Sequence, residues 1–297
     1  MYKICCEEGV CIMVQDFSRN RDVFYQFEIK SSYWTRKQIT MHPTVIHLFG
    51  DGKWHRIVIT HLSDITKHDA HFVHYITKDC IEYLTNHYPE IKLQKVIIWS
   101  DGCASQYKGK ISFFYLNQLQ AIFPSLEIQR NYYGSEHGKG ESDAETGIFS
   151  KQIMDAVKSE KNVLSNASEM CDFLRENNQD YRIFKHVTED DLKDIHDTFK
   201  GVIINTLSGK CTRSLHQIKS DNRQGFLLTR KSSCFCKSCT AGTFSKCENI
   251  SFTLGNFKPR ILPTNIPGDE SIDIDDEDES ENNYMHDDVE QIQIQQE

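Results

Sequence analysis

Two apolar runs in this chain each stop on an aspartate. Val10 to Val14 leads to Asp16 in GVCIMVQDF, and Val96 to Trp99 leads to Asp101 in KVIIWSDG. A run that is apolar at nearly every position reads as a strand buried on both faces. Ending such a strand on a carboxylate is costly unless something cationic meets it. A third acidic group, Glu141, Asp143 and Glu145, follows in HGKGESDAETG, where a glycine-bearing loop opens a helix. Two such strands side by side, with an acid delivered from a helix, would form a cage for divalent metal. That is the arrangement phosphodiester chemistry needs.

The elements between these points decide whether the strands can be neighbours. After the first strand (about 9–17) come strand-like stretches at Val23–Ile29, Ile39–Phe49 and about 55–62. Pro43 suits an edge strand or a bulge. Phe72, Val73, Ile76, Cys80, Tyr83 and Leu84 recur at helical spacing over about 69–87, with Pro89 just beyond. A short strand at Lys95–Trp99, a helix at about 105–121, a strand at Leu126–Tyr133 and a helix at about 143–160 follow. Ser142 with Glu145 three places on reads as a capping box for the last helix. Three or four strands, then helix, strand, helix, strand, helix, is the ribonuclease-H-like arrangement: an antiparallel meander followed by parallel crossover units. In it the first and fourth strands lie adjacent and parallel, so Asp16 and Asp101 emerge at the same edge. The fold expected is α/β, a ribonuclease-H-like mixed sheet flanked by helices.

The net charge of −9 conceals two regions of opposite sign. Residues 269–297 hold thirteen acids and no Lys or Arg, which leaves 30 acids against 34 bases in residues 1–268. The body is mildly basic and compatible with a polyanion; the tail's low-complexity acidic composition predicts disorder over 268–297. No run approaches the ~18 apolar residues of a membrane span, and MYKICCEEGV lacks the pattern of a secretory signal. A nuclear or cytoplasmic, intracellular location is expected, with eleven reduced cysteines. Beyond the 1–160 core, a small α+β extension is expected over 161–230, with helices at about 166–177 and 189–199 and a strand at about 181–187. A Cys-rich module at 231–250 comes next.

The blocks IKSSYWTRKQITMHP, WSDGCASQYKGK, NYYGSEHGKGESDAETG and SCFCKSC together resemble a family of transposon-derived animal proteins related to DDE-type transposases. The likeness covers about residues 10–240. It implies a ribonuclease-H-like core whose metal-binding acids are Asp16 in VQDF, Asp101 in WSDG and Asp143 in HGKGESD. Many relatives place Gly after that last aspartate where Ala144 stands here. Relatives also carry further N-terminal sequence, so a DNA-targeting module is expected outside this chain.

Hard oxygen ligands on Asp16, Asp101 and Asp143 suit Mg²⁺ or Mn²⁺. Against this stands the simpler reading of Asp16 and Asp101 as turn caps after strands. Glu145, taken by the capping box, and Glu141, in the loop, are alternates for the third acid. His137 and Lys139 lie in the adjoining loop, where Lys139 could contact a phosphate and His137 could orient water or the leaving group. The other reading is a surface loop in which Gly134, Gly138 and Gly140 supply left-handed backbone. Ser105 to Lys108 could meet a nucleic-acid backbone at a helix start, but ordinary capping by Ser105 accounts for them as well. His68, Asp69, His71 and His74 read as a helix start with Asp69 as N-cap. Cys234, Cys236, Cys239 and Cys247, spaced C-x-C-x₂-C-x₇-C, could hold a structural Zn²⁺; Cys211 or His216 could replace one of them.

The function expected is cleavage or transfer of DNA strands by two divalent cations, with DNA and a homo-oligomer as partners and no membrane. The alternatives are a domesticated, catalytically silent nucleic-acid-binding or protein-interaction module, and a ribonuclease or exonuclease using the same metal chemistry.

Overall fold

The structure is a computed structural model that describes residues 7–23, 37–134, 140–159, 164–199, 202–203, 212–220, 225–240, 244–249, 253–256 and 260–261. All of these belong to one unit, Met1–Leu262. The expected strand Val23–Ile29 falls almost wholly outside them, as do Cys5, Cys6, Cys211, His137, Lys139 and the acidic tail 268–297.

The strands of the first half are β1 (Val10–Gln15), β2 (Arg21–Asp22), β3 (Gln38–Gly50), β4 (Lys53–Ser63), β5 (Lys95–Ser100) and β6 (Glu127–Tyr132). Later come β7 (Arg182–His186), β8 (Val202–Ile203), β9 (Gln217–Ser220), β10 (Phe226–Arg230), β11 (Thr253–Asn256) and β12 (Arg260–Ile261). The main sheet runs β11-β10-β9-β6-β5-β1-β3-β4-β7, with β2 on β3; β8 pairs with β12 separately. Its centre, β4-β3-β1-β5-β6, is the ribonuclease-H-like order. β1 is antiparallel to β3 and parallel to β5, and β5 is parallel to β6. The stretch from 161 to 230 adds strands at both edges, β7 parallel to β4 and β9 antiparallel to β6.

Local chemistry explains the joins. β3 and β4 form a hairpin through Asp51–Gly52, both at positive φ (52° and 72°). That is the conformation a two-residue turn matched to sheet twist requires, and Asp-Gly adopts it readily. Pro43 sits in a strand interior to the sheet, not at an edge. It is tolerated because it lies one residue past Thr44, where the β1 pairing ends.

Helices α1 (Ala70–His87), α2 (Lys110–Ile122) and α5 (Glu189–Thr198) pack on one face, α3 (Glu141–Lys158) and α4 (Ala167–Glu176) on the other. Strand alternation feeds both layers. Cys11 and Met13 of β1 join Phe72, Ile76 and Phe113 on the first face, while Val14 joins Phe149, Met170 and Leu174 on the second. Asp69 caps α1 as its position predicts, accepting from the Phe72 amide at 3.0 Å. The start of α2 differs from expectation. It begins at Lys110 with Gly109 as N-cap, because 104–109 is occupied by a turn in which the Tyr107 and Lys108 amides both donate to the Cys103 carbonyl. Among the described residues no helix is long and apolar enough to cross a membrane.

One glycine is required by geometry at the entry to β1. Gly9 has φ +77°, and a Cβ there would lie 2.2 Å from the Lys92 carbonyl oxygen. The Gly9 carbonyl meanwhile accepts from the Gln94 amide at 2.9 Å, tying β1 to β5. Gly9→Ala combines left-handed strain with a backbone clash, and a loss of about 2–3 kcal/mol in denaturant unfolding is expected.

Candidate metal centre

β1 and β5 run parallel with Val14 opposite Trp99, so Asp16 and Asp101, each two residues further on, leave the sheet together at its carboxyl edge. The end of β1 is fixed from one face by Gln15, whose amide donates to Thr77 Oγ1 of α1 at 3.1 Å. From the other face Ser142 of α3 donates its hydroxyl to the Val14 carbonyl at 3.0 Å. That bond docks the first turn of α3, and Asp143 with it, beside Asp16.

Asp101 and Asp143 both act on Asp16 from nearby. Burial, then the charges of Asp101 and Asp143, push the Asp16 carboxyl up to about 7, opposed only by a hydrogen bond from the Phe17 amide. Asp101 is half-buried, and its Oδ1 accepts from the Cys103 amide at 3.1 Å. Asp143 is exposed, and its Oδ2 accepts from the Gly140 amide at 3.2 Å. The turn-cap reading of Asp101 is thus partly realised: one oxygen holds the turn while the charge stays with the pocket.

The neighbouring acids are differently placed. Glu145 is buried, with Oε1 2.6 Å from Arg56 Nη2 and Oε2 2.9 Å from Arg182 Nε. Glu141 Oε2 lies 2.8 Å from His47 Nε2 and 3.9 Å from Arg56 Nε. The expected box between Ser142 and Glu145 does not form. Gly140 is the N-cap, Asp143 closes back on its amide, and both members of the expected pair are drawn into tertiary contacts. So Glu145 and Glu141 have cationic partners, whereas Asp16 has none among the described residues.

Tyr107, read from sequence with Ser105 to Lys108, the Tyr132–Tyr133 pair, read as sheet packing, and His42, which sequence reasoning passed over, lie near these acids. Tyr107 is fully buried; its hydroxyl meets His42 Nε2 at 3.0 Å, and the Asp16 and Asp101 charges, after burial, hold its phenol protonated. His42 lies in a strand with buried residues on both faces, so no alternation marked it. Tyr133 borders the same acids; burial and then the charges of Glu141 and Asp16 push it up to about 12. Tyr132 packs in the core and donates to the Tyr107 carbonyl at 2.7 Å. Ser105 to Lys108 do not form a phosphate-facing helix start. Lys108 is buried, donates to the Arg213 carbonyl at 2.9 Å and lies over the Tyr132 ring.

Among the described residues two groupings bring their ligand atoms within 4.8 Å of one another, and Asp16, Asp101 and Asp143 are not one of them. Asp69, His71 and His196 have ligand atoms within 4.8 Å, but Asp69 caps α1 and His71 is held by the Tyr115 hydroxyl. The sulfurs of Cys234, Cys236, Cys239 and Cys247 also lie within 4.8 Å of one another. His216 serves there through its carbonyl, which accepts from the Ser233 hydroxyl at 3.0 Å.

The carboxylate oxygens of Asp16, Asp101 and Asp143 are hard donors of the kind Mg²⁺ and Mn²⁺ take, and a cation among them would remove the repulsion that raises Asp16, although the three do not come within 4.8 Å of one another in this structure.

No curated protein matches the sequence. Among solved structures, the chain is similar to Ciona intestinalis endonuclease V in complex with inosine-containing DNA, at 9% identity and TM-score 0.23 over 49% of this chain and 56% of that one. It thus spans little more than half of that protein. It is also similar to the human cytomegalovirus terminase nuclease domain, Mn-soaked, at 10% identity and TM-score 0.23 over 65% and 75% of the two chains. A third similarity is to NurA bound to dAMP and manganese, at 12% identity and TM-score 0.19 over 69% and 41%. TM-scores this low say nothing about the sites. The family model described as Domain of unknown function (DUF8701) matches residues 2–233, more than three quarters of the sequence, and the chain belongs to that family.

Proposed function

We propose that this protein cleaves or transfers phosphodiester strands of DNA, using divalent cations held by Asp16, Asp101 and Asp143. The observation that carries the reading is the contrast in charge pairing. Glu145, Glu141 and Asp79 are each met by Arg, Lys or His, whereas Asp16 faces two further carboxylates and no described cation. A fold that pairs Glu145, Glu141 and Asp79 with cations but sets Asp16 against two carboxylates has a deficit of positive charge at Asp16, which a metal ion would fill.

The chain's own residues then have definable tasks. Asp16 and Asp101 present oxygens from two rigid, paired strands, so their separation is set by sheet register, not by a loop. Asp143 adds the third from a helix pinned to β1. Tyr107 and Phe17 wall the pocket on the α1 side, limiting water around the acids. When bound, the cations would activate a water or 3′-hydroxyl and stabilise the leaving oxygen. A transposase-type origin accords with the blocks SDG-x-x-SQYK and HGKG-x-x-D, and a nuclear site of action and a homo-oligomer belong to the same reading. His137 and Lys139, outside the described residues, belong to the same reading as groups that would contact phosphate or orient water.

The pH dependence follows with a definite sign. Asp16 ionises near 3.8 when unfolded and near 7 when folded and metal-free. Between these values the native state keeps a proton that the unfolded chain has released. The group's contribution to metal-free stability is therefore full below about pH 4 and is lost as pH rises through about 7. Cation binding needs the carboxylate, so Mn²⁺ affinity is expected to rise about tenfold per pH unit up to about 7 and then level off. Calorimetric titration of Mn²⁺ from about pH 5 to about pH 8 reads this directly. Absence of binding throughout sinks the reading. Binding of labelled DNA without metal-dependent cleavage supports the silent module instead.

A further inference from the structure

The second-face side chains of β1 and β5, Val10, Ile12 and Ile97, are covered neither by α3 nor by α4 but by a cluster that includes Trp54, Trp99 and Phe235. Phe235 lies between Cys234 and Cys236, and its ring stacks on Trp99 with centroids 5.9 Å apart. What holds Phe235 down is therefore a question about the cysteines.

We propose that Cys234, Cys236, Cys239 and Cys247 bind one structural Zn²⁺, and that this metal fastens the cysteine segment over the face behind the two catalytic strands. Cys247 Sγ lies 3.7 Å from Cys234 Sγ and 3.9 Å from Cys236 Sγ, and all four sulfurs fall within 4.8 Å. Four thiolates at a Zn–S distance of about 2.3 Å occupy a tetrahedron whose edges are about 3.8 Å. A disulfide would instead bring two sulfurs to about 2.05 Å, and all eight described cysteines are thiols. The spacing is that of a metal tetrahedron without its centre.

Local structure builds this arrangement. The short helix Lys237–Thr240 follows Cys236 directly, and the Thr240 amide donates to the Cys236 carbonyl at 3.0 Å. This turn brings Cys236 and Cys239 to the same side. Cys234 and Cys239 are buried, and two donors already point at sulfur: Asn249 Nδ2 to Cys234 at 3.4 Å, and Arg230 Nη1 to Cys239 at 3.1 Å. Donors of that kind favour thiolate over thiol and orient the ligand for a metal. Arg230 ends β10, so the same contact joins the site to the sheet. A chain of this size does not need zinc for its main core. The metal's task is local, replacing a helix as the cover for Val10, Ile12 and Ile97.

This inference stands apart from the carboxylate reading, and the test keeps the two separate. The full chain, purified under reducing conditions without added metal, is measured by native mass spectrometry and elemental analysis. One zinc per chain is expected in the parent and in the Asp16→Asn/Asp101→Asn variant, and none in Cys236→Ser/Cys247→Ser. Should the cysteine variant fail to fold, Co²⁺ exchanged into the parent is expected to give the thiolate charge-transfer and tetrahedral ligand-field absorption of an S₄ site. Asn249→Ala is expected to weaken zinc about tenfold in competition with a chelator. Iron in place of zinc, zinc retained by the folded double-cysteine variant, or Co²⁺ without thiolate bands overturns the proposal.

Discussion

Asp101→Asn is expected to lower Mn²⁺-dependent cleavage of labelled DNA by about 10³-fold or more, while leaving the metal-free protein as stable as the parent or more so. The two effects have one cause. Asn keeps an oxygen where Oδ1 accepts from the Cys103 amide, so the turn after β5 survives. What is removed is one of the charges that raise Asp16. Without cation, that removal relieves repulsion. With cation, it takes away a ligand that offsets several kcal/mol of developing charge, which is the magnitude a 10³-fold loss represents. Cleavage assays paired with thermal unfolding of metal-free protein separate this from misfolding. Parent-level cleavage by the variant would remove Asp101 from the chemistry.

The elements that carry this pocket were legible for a physical reason. β1 and β5 are buried on both faces, and such strands show in sequence as continuous apolar runs; α1 announces itself through Asp69 and its apolar spacing. The errors have an equally physical source. Ser142 and Glu145 stand at capping-box spacing, but Glu145 is claimed by Arg56 and Arg182, 89 and 37 positions away, and no local pattern reveals them. Ser105 looks like an N-cap until Tyr107 is buried against His42, which forces the turn and moves the helix start to Gly109. The strands after residue 216 carry turn and apolar signals, yet their attachment to β6 depends on register with a distant edge. The Asp51–Gly52 dipeptide carries a hairpin signal that the sequence reading did not use.

The pairing of Glu145 leads to a large stability effect. Its carboxylate is 3% exposed, and it joins three elements: its own α3, β4 through Arg56 and β7 through Arg182. Arg182 is only 15% exposed and also lies over the rings of Tyr181 and Phe149, whereas Arg56 is 38% exposed and partly hydrated. Removing the acid strands a buried guanidinium, and removing Arg182 strands a buried carboxylate. Each of Glu145→Ala and Arg182→Ala is therefore expected to cost about 3–5 kcal/mol in denaturant unfolding, with Arg56→Ala costing less because water replaces its partner. Such a loss is a large share of an ordinary domain's stability. The same network anchors the body of α3, while Ser142 anchors its tip, so the pair sets where Asp143 stands. Glu145→Gln, which keeps the shape and weakens the charge, is expected to lower stability yet retain the parent's Mn²⁺ stoichiometry in the folded protein. Loss of bound Mn²⁺ from folded Glu145→Gln would make Glu145 a ligand in place of a strut, and would shift the third carboxylate one helical step from Asp143.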